Sequence, residues 1–272
     1  MAFDAQQKKV NDVLSGDVKY VIPRYQRKYV WQEKQWRELF DDIKYCLDVS
    51  NEYKEKGQEI EWTHFLGSFV FERSGKDLIV IDGQQRLTTI TLMLCAICTL
   101  FNEIGEEARF RGVTKYIIGT DDMGADYVRV DNQDLNNFQF IVAESTEYNS
   151  LQSKSNLFSG AYLENSPQDN VNVKQCFLFF YNQFQELIHN SKDPAVELGN
   201  IRASNQQESY NIFEILNARG VDLKQHELIK NYIFKYIHPR ANIDTAKMKW
   251  DSMEAKLYIN RRSTLDSFFT HY

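Results

Sequence analysis

Residues 77–101 read DLIVIDGQQRLTTITLMLCAICTLF, and no other stretch limits the possible folds as much. A short β-rich run ends in Asp82-Gly83, and an apolar run too long for a strand follows without a linker. Runs of four to eight β-branched and aliphatic residues suit a buried strand, whereas the longer run has to be a buried helix. The chain therefore passes from strand to helix within about one residue, and Gly83 is the residue that can turn it. The stretch HFLGSFVFE (64–72), the turn signal RSGK and DLIVID predict a hairpin leading into this junction.

A joint of this kind needs Asp and Gly. It does not need Gln84, Gln85 and Arg86. The start of a helix presents backbone N–H groups and the positive end of the helix dipole, which together attract an anion. Arg86 falls in the first turn, where its guanidinium can fork onto phosphate oxygens. A cation there opposes the dipole unless something negative lies beside it. Asp82 can be that partner, or can hold a Mg²⁺ on a phosphate. Gln84 and Gln85 can donate and accept, as an amide that positions a water must. The plainer alternative is an Asp N-cap with solvated amides.

Two further stretches carry functional residue types. In IPRYQRKYVW (22–31), Arg24, Arg27 and Lys28 interleave with Tyr25, Tyr29 and Trp31. Basic groups beside aromatic faces suit phosphate with a stacked base, although a charged strand edge would look the same. In FEILNARG (213–220), Arg219 complements a helix C-terminus and Gly220 suits the C′ position, which leaves Asn217 unexplained. The acidic runs TDDMGAD (120–126) and DNQDLNN (131–137) lack calcium-loop spacing and read as solvated loops. The histidines are scattered and form no H-E-x-x-H, Ser-His-Asp or HNH cluster.

Elsewhere the patterning predicts a short helix over 4–15 and an extended segment before Pro23. A helix over 32–53 would bury Trp36, Leu39, Phe40, Ile43 and Leu47. A short strand at YVRV (127–130) and a polar loop over 145–170 follow. Helices are then expected over 173–189, 207–220, 224–238, 247–259 and 263–272. The fold class is α+β. Residues 1–101 form a small mixed sheet with helices, and 102–272 form a mainly helical part that completes the pocket. The net charge of −6 confines any nucleic-acid contact to a local basic patch. Four cysteines, including the CAIC pair Cys95 and Cys98, lie in or near apolar runs and read as core thiols in a reducing cytoplasm. The N-terminus has no signal-peptide pattern, and Leu87–Phe101 is too short and Thr-rich to span a bilayer.

IPRYQRKYVW, IDGQQRLTTITLML and FEILNARGVDLKQHELIKNY, in that order, resemble the DUF262 domain, the N-terminal half of GmrSD-type modification-dependent restriction proteins. The resemblance covers roughly residues 10–240. It implies a ParB/sulfiredoxin-like fold, a role in anti-phage defence, and binding and hydrolysis of GTP or another NTP with Mg²⁺. It assigns Asp82, Gly83, Gln84, Gln85 and Arg86 to the nucleotide site, with Asp82 on the metal. Tyr25, Gln26 and Arg27 go to the same pocket or to recognition of modified DNA, and Asn217 and Arg219 to the pocket. The implied partners are nucleotide, DNA and an HNH-type nuclease domain that is expected to begin about where this chain stops, with a homo-oligomer also possible in such a family. Two rival functions stay open: a DNA-binding module without turnover, and a ParB-like DNA nickase.

Overall fold

The computed structural model describes residues 4–56, 68–149, 157–159, 167–204, 208–213, 248–250, 252–253 and 256. The chain divides into two units, one of residues 1–23 and 28–215, the other of 24–27 and 216–272. The first unit holds the sheet and its helices. In chain order these are β1 (Asp4–Lys9), α1 (Val10–Ser15), β2 (Tyr20–Ile22), α2 (Glu33–Glu55), β3 (Ser68–Ser74), β4 (Asp77–Asp82) and α3 (Gln84–Glu103). Then follow α4 (Glu107–Thr114), β5 (Ile118–Thr120), β6 (Asp126–Val128), β7 (Val130–Asn132), α5 (Asn136–Ser145), α6 (Gln168–His189), α7 (Pro194–Ser204) and β8 (Glu208–Phe213). In the second unit Arg24–Arg27 form a turn, and residues 248–250 are helical.

Six strands form a mixed sheet in the order β1-β8-β3-β4-β2-β7, and β5 and β6 make a separate antiparallel pair. The fold class is mixed α+β, as the sequence patterning implies. The hairpin of β3 and β4 is present, with a register shift between Val70 and Phe71. β2 runs parallel to both β4 and β7. The sheet takes strands from 130–132 and 208–213, well beyond the N-terminal residues in which the strand signal is strongest.

α3 crosses the core. Nearly every residue from Leu87 to Phe101 is buried, and a helix that is apolar all round belongs inside. Its threonines fit there because Thr89, Thr91 and Thr99 donate to the carbonyls of Gln85, Leu87 and Cys95 one turn back. α2 is amphipathic in the expected way: Trp36, Leu39, Phe40, Ile43 and Leu47 are all buried. Its outer face carries the i,i+4 pairs Glu33–Arg37, Lys44–Asp48 and Glu52–Lys56. All four cysteines are buried free thiols. Among the described residues, no helix is long and apolar enough to cross a membrane.

Four local expectations need correction. Residues 4–9 are a strand, paired antiparallel with β8 from Asp4↔Phe213 to Lys9↔Glu208, and the helix begins only at Val10. Val10, Val13 and Leu14 supply its buried face. Residues 208–213, expected as the start of a helix, are instead an interior strand between β1 and β3. Helix propensity differs by under about 1 kcal/mol per residue among ordinary residues, so ladder pairing outweighs it at both sites.

YVRV is not one strand. Its first part pairs with β5 and Val130 pairs with β2, with Arg129 as the hinge. The Arg129 side chain is held by the Lys115 carbonyl at 2.8 Å and by the Gly16 carbonyl. DNQDLNN is not a solvated loop either: it ends β7, begins α5, and buries Asn132, Leu135 and Asn137. TDDMGAD is exposed, a β5–β6 turn in which Asp121 Oδ1 accepts from the amides of Met123 and Ala125. The helices expected over 224–238 and 263–272 lie outside the described residues, as does most of 145–170.

Candidate functional site

The site is built where β4 becomes α3. Gly83 is the N-cap residue, with φ 91° and ψ 7°, and as a glycine it supplies no side-chain cap. Glycine is required there twice over. The positive φ disfavours any L side chain, and a Cβ would stand 2.5 Å from Phe69 Cδ1. Phe69, on the antiparallel neighbour β3, is the floor of the junction and stacks on Phe71. The Arg86 guanidinium lies over the same Phe69 ring, 5.0 Å from its centre, so the first turn of α3 and the floor hold the cation between them.

Arg86 is also 3.5 Å from the Asp82 carboxylate, a loose contact. Burial pushes the Arg86 guanidinium down from its ordinary value, and the Asp82 charge opposes that shift. The Arg86 side chain is 22% exposed and that of Asp82 62%, so the acid reaches solvent while the base lies against the ring. A cation in the first turn of a helix opposes the helix dipole unless something negative lies beside it.

Gln84 and Gln85 are both buried. Gln85 holds the chain that follows the IPRYQR segment. Its Oε1 accepts from Val30 N at 2.8 Å and weakly from Trp31 N at 3.4 Å, and its Nε2 donates to the Lys28 carbonyl at 3.0 Å. Behind this clamp runs a directed chain of hydroxyls. The Thr89 proton goes to the Gln85 carbonyl, so the Tyr29 hydroxyl donates to Thr89 Oγ1 at 2.6 Å and accepts from Trp36 Nε1 at 2.9 Å. Burial pushes the Tyr29 phenol well up, which keeps it the neutral donor this chain needs. The Cys176 thiol, pushed by burial up to about 12, lies against the Tyr29 and Thr89 hydroxyls. Tyr29 and Trp31, candidates for base stacking from the sequence, differ in role: Tyr29 is a core residue and Trp31 is half-buried.

The surroundings share one direction. β2, β4 and β7 are parallel, so Ile22, Asp82 and Asn132 stand at the same edge of the sheet. Each of these strands is followed by a helix, and such carboxyl-end crevices are where open α/β sheets bind ligands. Thr88 meets Asn132 just ahead of α5, and Asn102 meets Glu147 and Asn149 just after it, so α5 runs alongside α3 in the same sense. α6 does likewise: Cys176 sits at Thr89, and further along Tyr181 donates to the Glu103 carboxylate. The first turns of α3, α5 and α6 therefore lie toward one end of the unit.

The structure brings Asp82, Gly83, Gln84, Gln85 and Arg86 together at one joint. Tyr25 and Gln26 are half-buried and Arg27 exposed, in the turn belonging to the second unit. Asn217 and Arg219 lie outside the described residues. Sequence reasoning missed Phe69, because nothing in SFVFE marks which aromatic ring will floor a glycine turn. It also missed Asn132 and Asn137, because runs of Asn and Asp resemble loop.

The family model of the GmrSD restriction endonuclease N-terminal domain matches residues 9–234. Comparison with curated protein sequences gives no match. The matched region contains the D-G-Q-Q-R joint and every strand of the sheet except most of β1, and the chain belongs to the GmrSD restriction endonuclease N-terminal domain (DUF262) family.

Proposed function

We propose that this domain binds a nucleoside triphosphate at the β4–α3 joint and hydrolyses it as the regulatory part of a modification-dependent restriction system. The observation that carries the reading is the placement of Arg86: half-buried, over the Phe69 ring, and in the first turn of a helix whose N-cap residue is a glycine. A phosphate bound there would be held by the helix start and the guanidinium together. Gly83 lets the backbone approach the ligand. Asp82 is exposed and has the hard oxygen donors Mg²⁺ prefers. Among the described residues no group of three or more His, Cys, Asp or Glu could hold a metal. Asp82 would therefore share Mg²⁺ with phosphate and water, and the ion would supply charge neutralisation on the phosphates. Gln85 is engaged on the backbone of residues 28–31, and Gln84 would orient a water.

Restriction implies DNA, and Arg27 and Tyr25 are the proposed contacts, Arg27 to a phosphate and Tyr25 to a base or its modification. Tyr25→Ala should then lower discrimination between modified and plain DNA, and Arg27→Ala should weaken both alike and reduce the salt slope by about one unit.

The test is a nucleotide-binding and phosphate-release panel on the purified chain with Mg²⁺, with and without DNA. Arg86→Ala should weaken nucleotide binding roughly tenfold or more while the fold stays intact, as loss of a charge-assisted contact of about 1.5–3 kcal/mol requires. Unchanged affinity in the folded variant removes the assignment. Binding without turnover makes the domain a sensor, and DNA nicking lost in Asp82→Asn makes it a nickase.

A further inference from the structure

Two buried amides, in the first turns of α5 and α6, each have one atom without a bond. Asn137 and Asn170 are 6% and 7% exposed, yet Asn137 Nδ2 and Asn170 Oδ1 have no hydrogen-bond partner among the described residues. A buried polar group left unsatisfied is uncommon in native structures and calls for a reason. Both residues sit in first turns, Asn137 in α5 and Asn170 in α6. Helical side chains lean toward the N-terminus of their helix, so both lean toward the end where α3 begins at Gln84.

The chemistry of the two side chains narrows the ligand group. Both are neutral primary amides, each with an NH2 donor and a carbonyl acceptor whichever atom is unbonded at rest. Phosphate oxygens only accept and are held best by cations, so they match only the NH2 half of an amide. A ribose hydroxyl or the edge of a base offers both functions. We propose that Asn137 and Asn170 contact the nucleoside part of the bound nucleotide, each turning its amide onto the ligand and gaining the bond its resting rotamer lacks, while Arg86 and the start of α3 hold the phosphates. This proposal rests on the nucleotide reading above.

Asn137→Leu and Asn170→Leu test it, by calorimetric titration with Mg·GTP, Mg·ATP and inorganic triphosphate with Mg²⁺, beside thermal melts without ligand. Each variant should melt at or above the unaltered protein, because an unsatisfied amide has been removed. Each should bind the better of the two nucleotides roughly five- to tenfold more weakly, the equivalent of one net hydrogen bond, and bind inorganic triphosphate unchanged. Arg86→Ala should weaken all of them. Nucleotide affinity within twofold of the unaltered protein in both variants overturns the proposal and leaves the nucleotide reading standing. Clearly lowered melting in both variants overturns it too, because the amides would then be holding the fold. If the unaltered protein binds triphosphate as tightly as nucleotide, the nucleoside is not contacted. If it binds none of the three, the proposal and the reading beneath it fall together.

Discussion

Replacing Gln85 distinguishes an amide that holds the fold from one that works only on a ligand. Gln85→Leu keeps the size of the side chain and removes the bonds at 2.8 Å to Val30 N and 3.0 Å to the Lys28 carbonyl, along with the weak one at 3.4 Å. A typical internal hydrogen bond contributes about 0.5–1.5 kcal/mol net, so the two good ones amount to about 1–3 kcal/mol. Val30 is exposed, so water can replace part of the loss at that end, and the lower half of the range is the better expectation. At about 2–4 °C per kcal/mol for a chain of this size, the melting temperature should fall by several degrees. Hydrogen exchange locates the effect: the Val30 amide should lose protection while the amides in the middle of α3 keep theirs. Gln85→Glu is the finer probe, since it still accepts from Val30 N but sets a carboxylate against the Lys28 carbonyl, so Val30 should stay protected while stability falls. A Gln85→Leu protein that melts like the unaltered one, with Val30 equally protected, refutes the clamp and returns Gln85 to the catalytic candidates.

Gly83→Ala should cost about 1–3 kcal/mol through the positive φ alone, with more from the Phe69 contact. Denaturant titration measures it, and Phe69→Leu in the same chain should recover part of the loss. Tyr29→Phe leaves the Trp36 indole N–H buried without its acceptor and should cost about 1–3 kcal/mol by the same method. Cys98 and Cys176 are both pushed by burial from 9.0 to about 12. Their folded-state values lie above the unfolded ones, so the unfolded chain loses protons first. Stability should be unaffected by them below about pH 9 and should then fall by about 1.4 kcal/mol per pH unit for each thiol until about pH 12. Thermal melts between pH 8 and 10.5 on the unaltered protein and on Cys98→Ala check the sign: a flat profile refutes it, and the variant should show the shallower slope.

Local structure is what the residue pattern makes legible. The strand, the turn at Gly83 and the helix after it are legible because DLIVIDGQQRLTTITLML changes its apolar pattern at a single residue, and backbone sterics permit few ways to do that. The burial of Trp36, Leu39, Phe40, Ile43 and Leu47 follows from helical spacing for the same reason. The tertiary structure decided what local patterning does not encode. Residues 4–9 and 208–213 became strands because each completes the other's backbone ladder across about 200 positions of chain. Gln85 was drawn to the backbone of Lys28–Trp31, and Phe69 came to floor Gly83 and Arg86, through contacts between distant segments. Asn132 and Asn137 were buried although Asn-rich runs favour loops. Burial depends on which strand end and which helix start share an edge, and only the parallel pairing of β2 with β4 and β7 sets that.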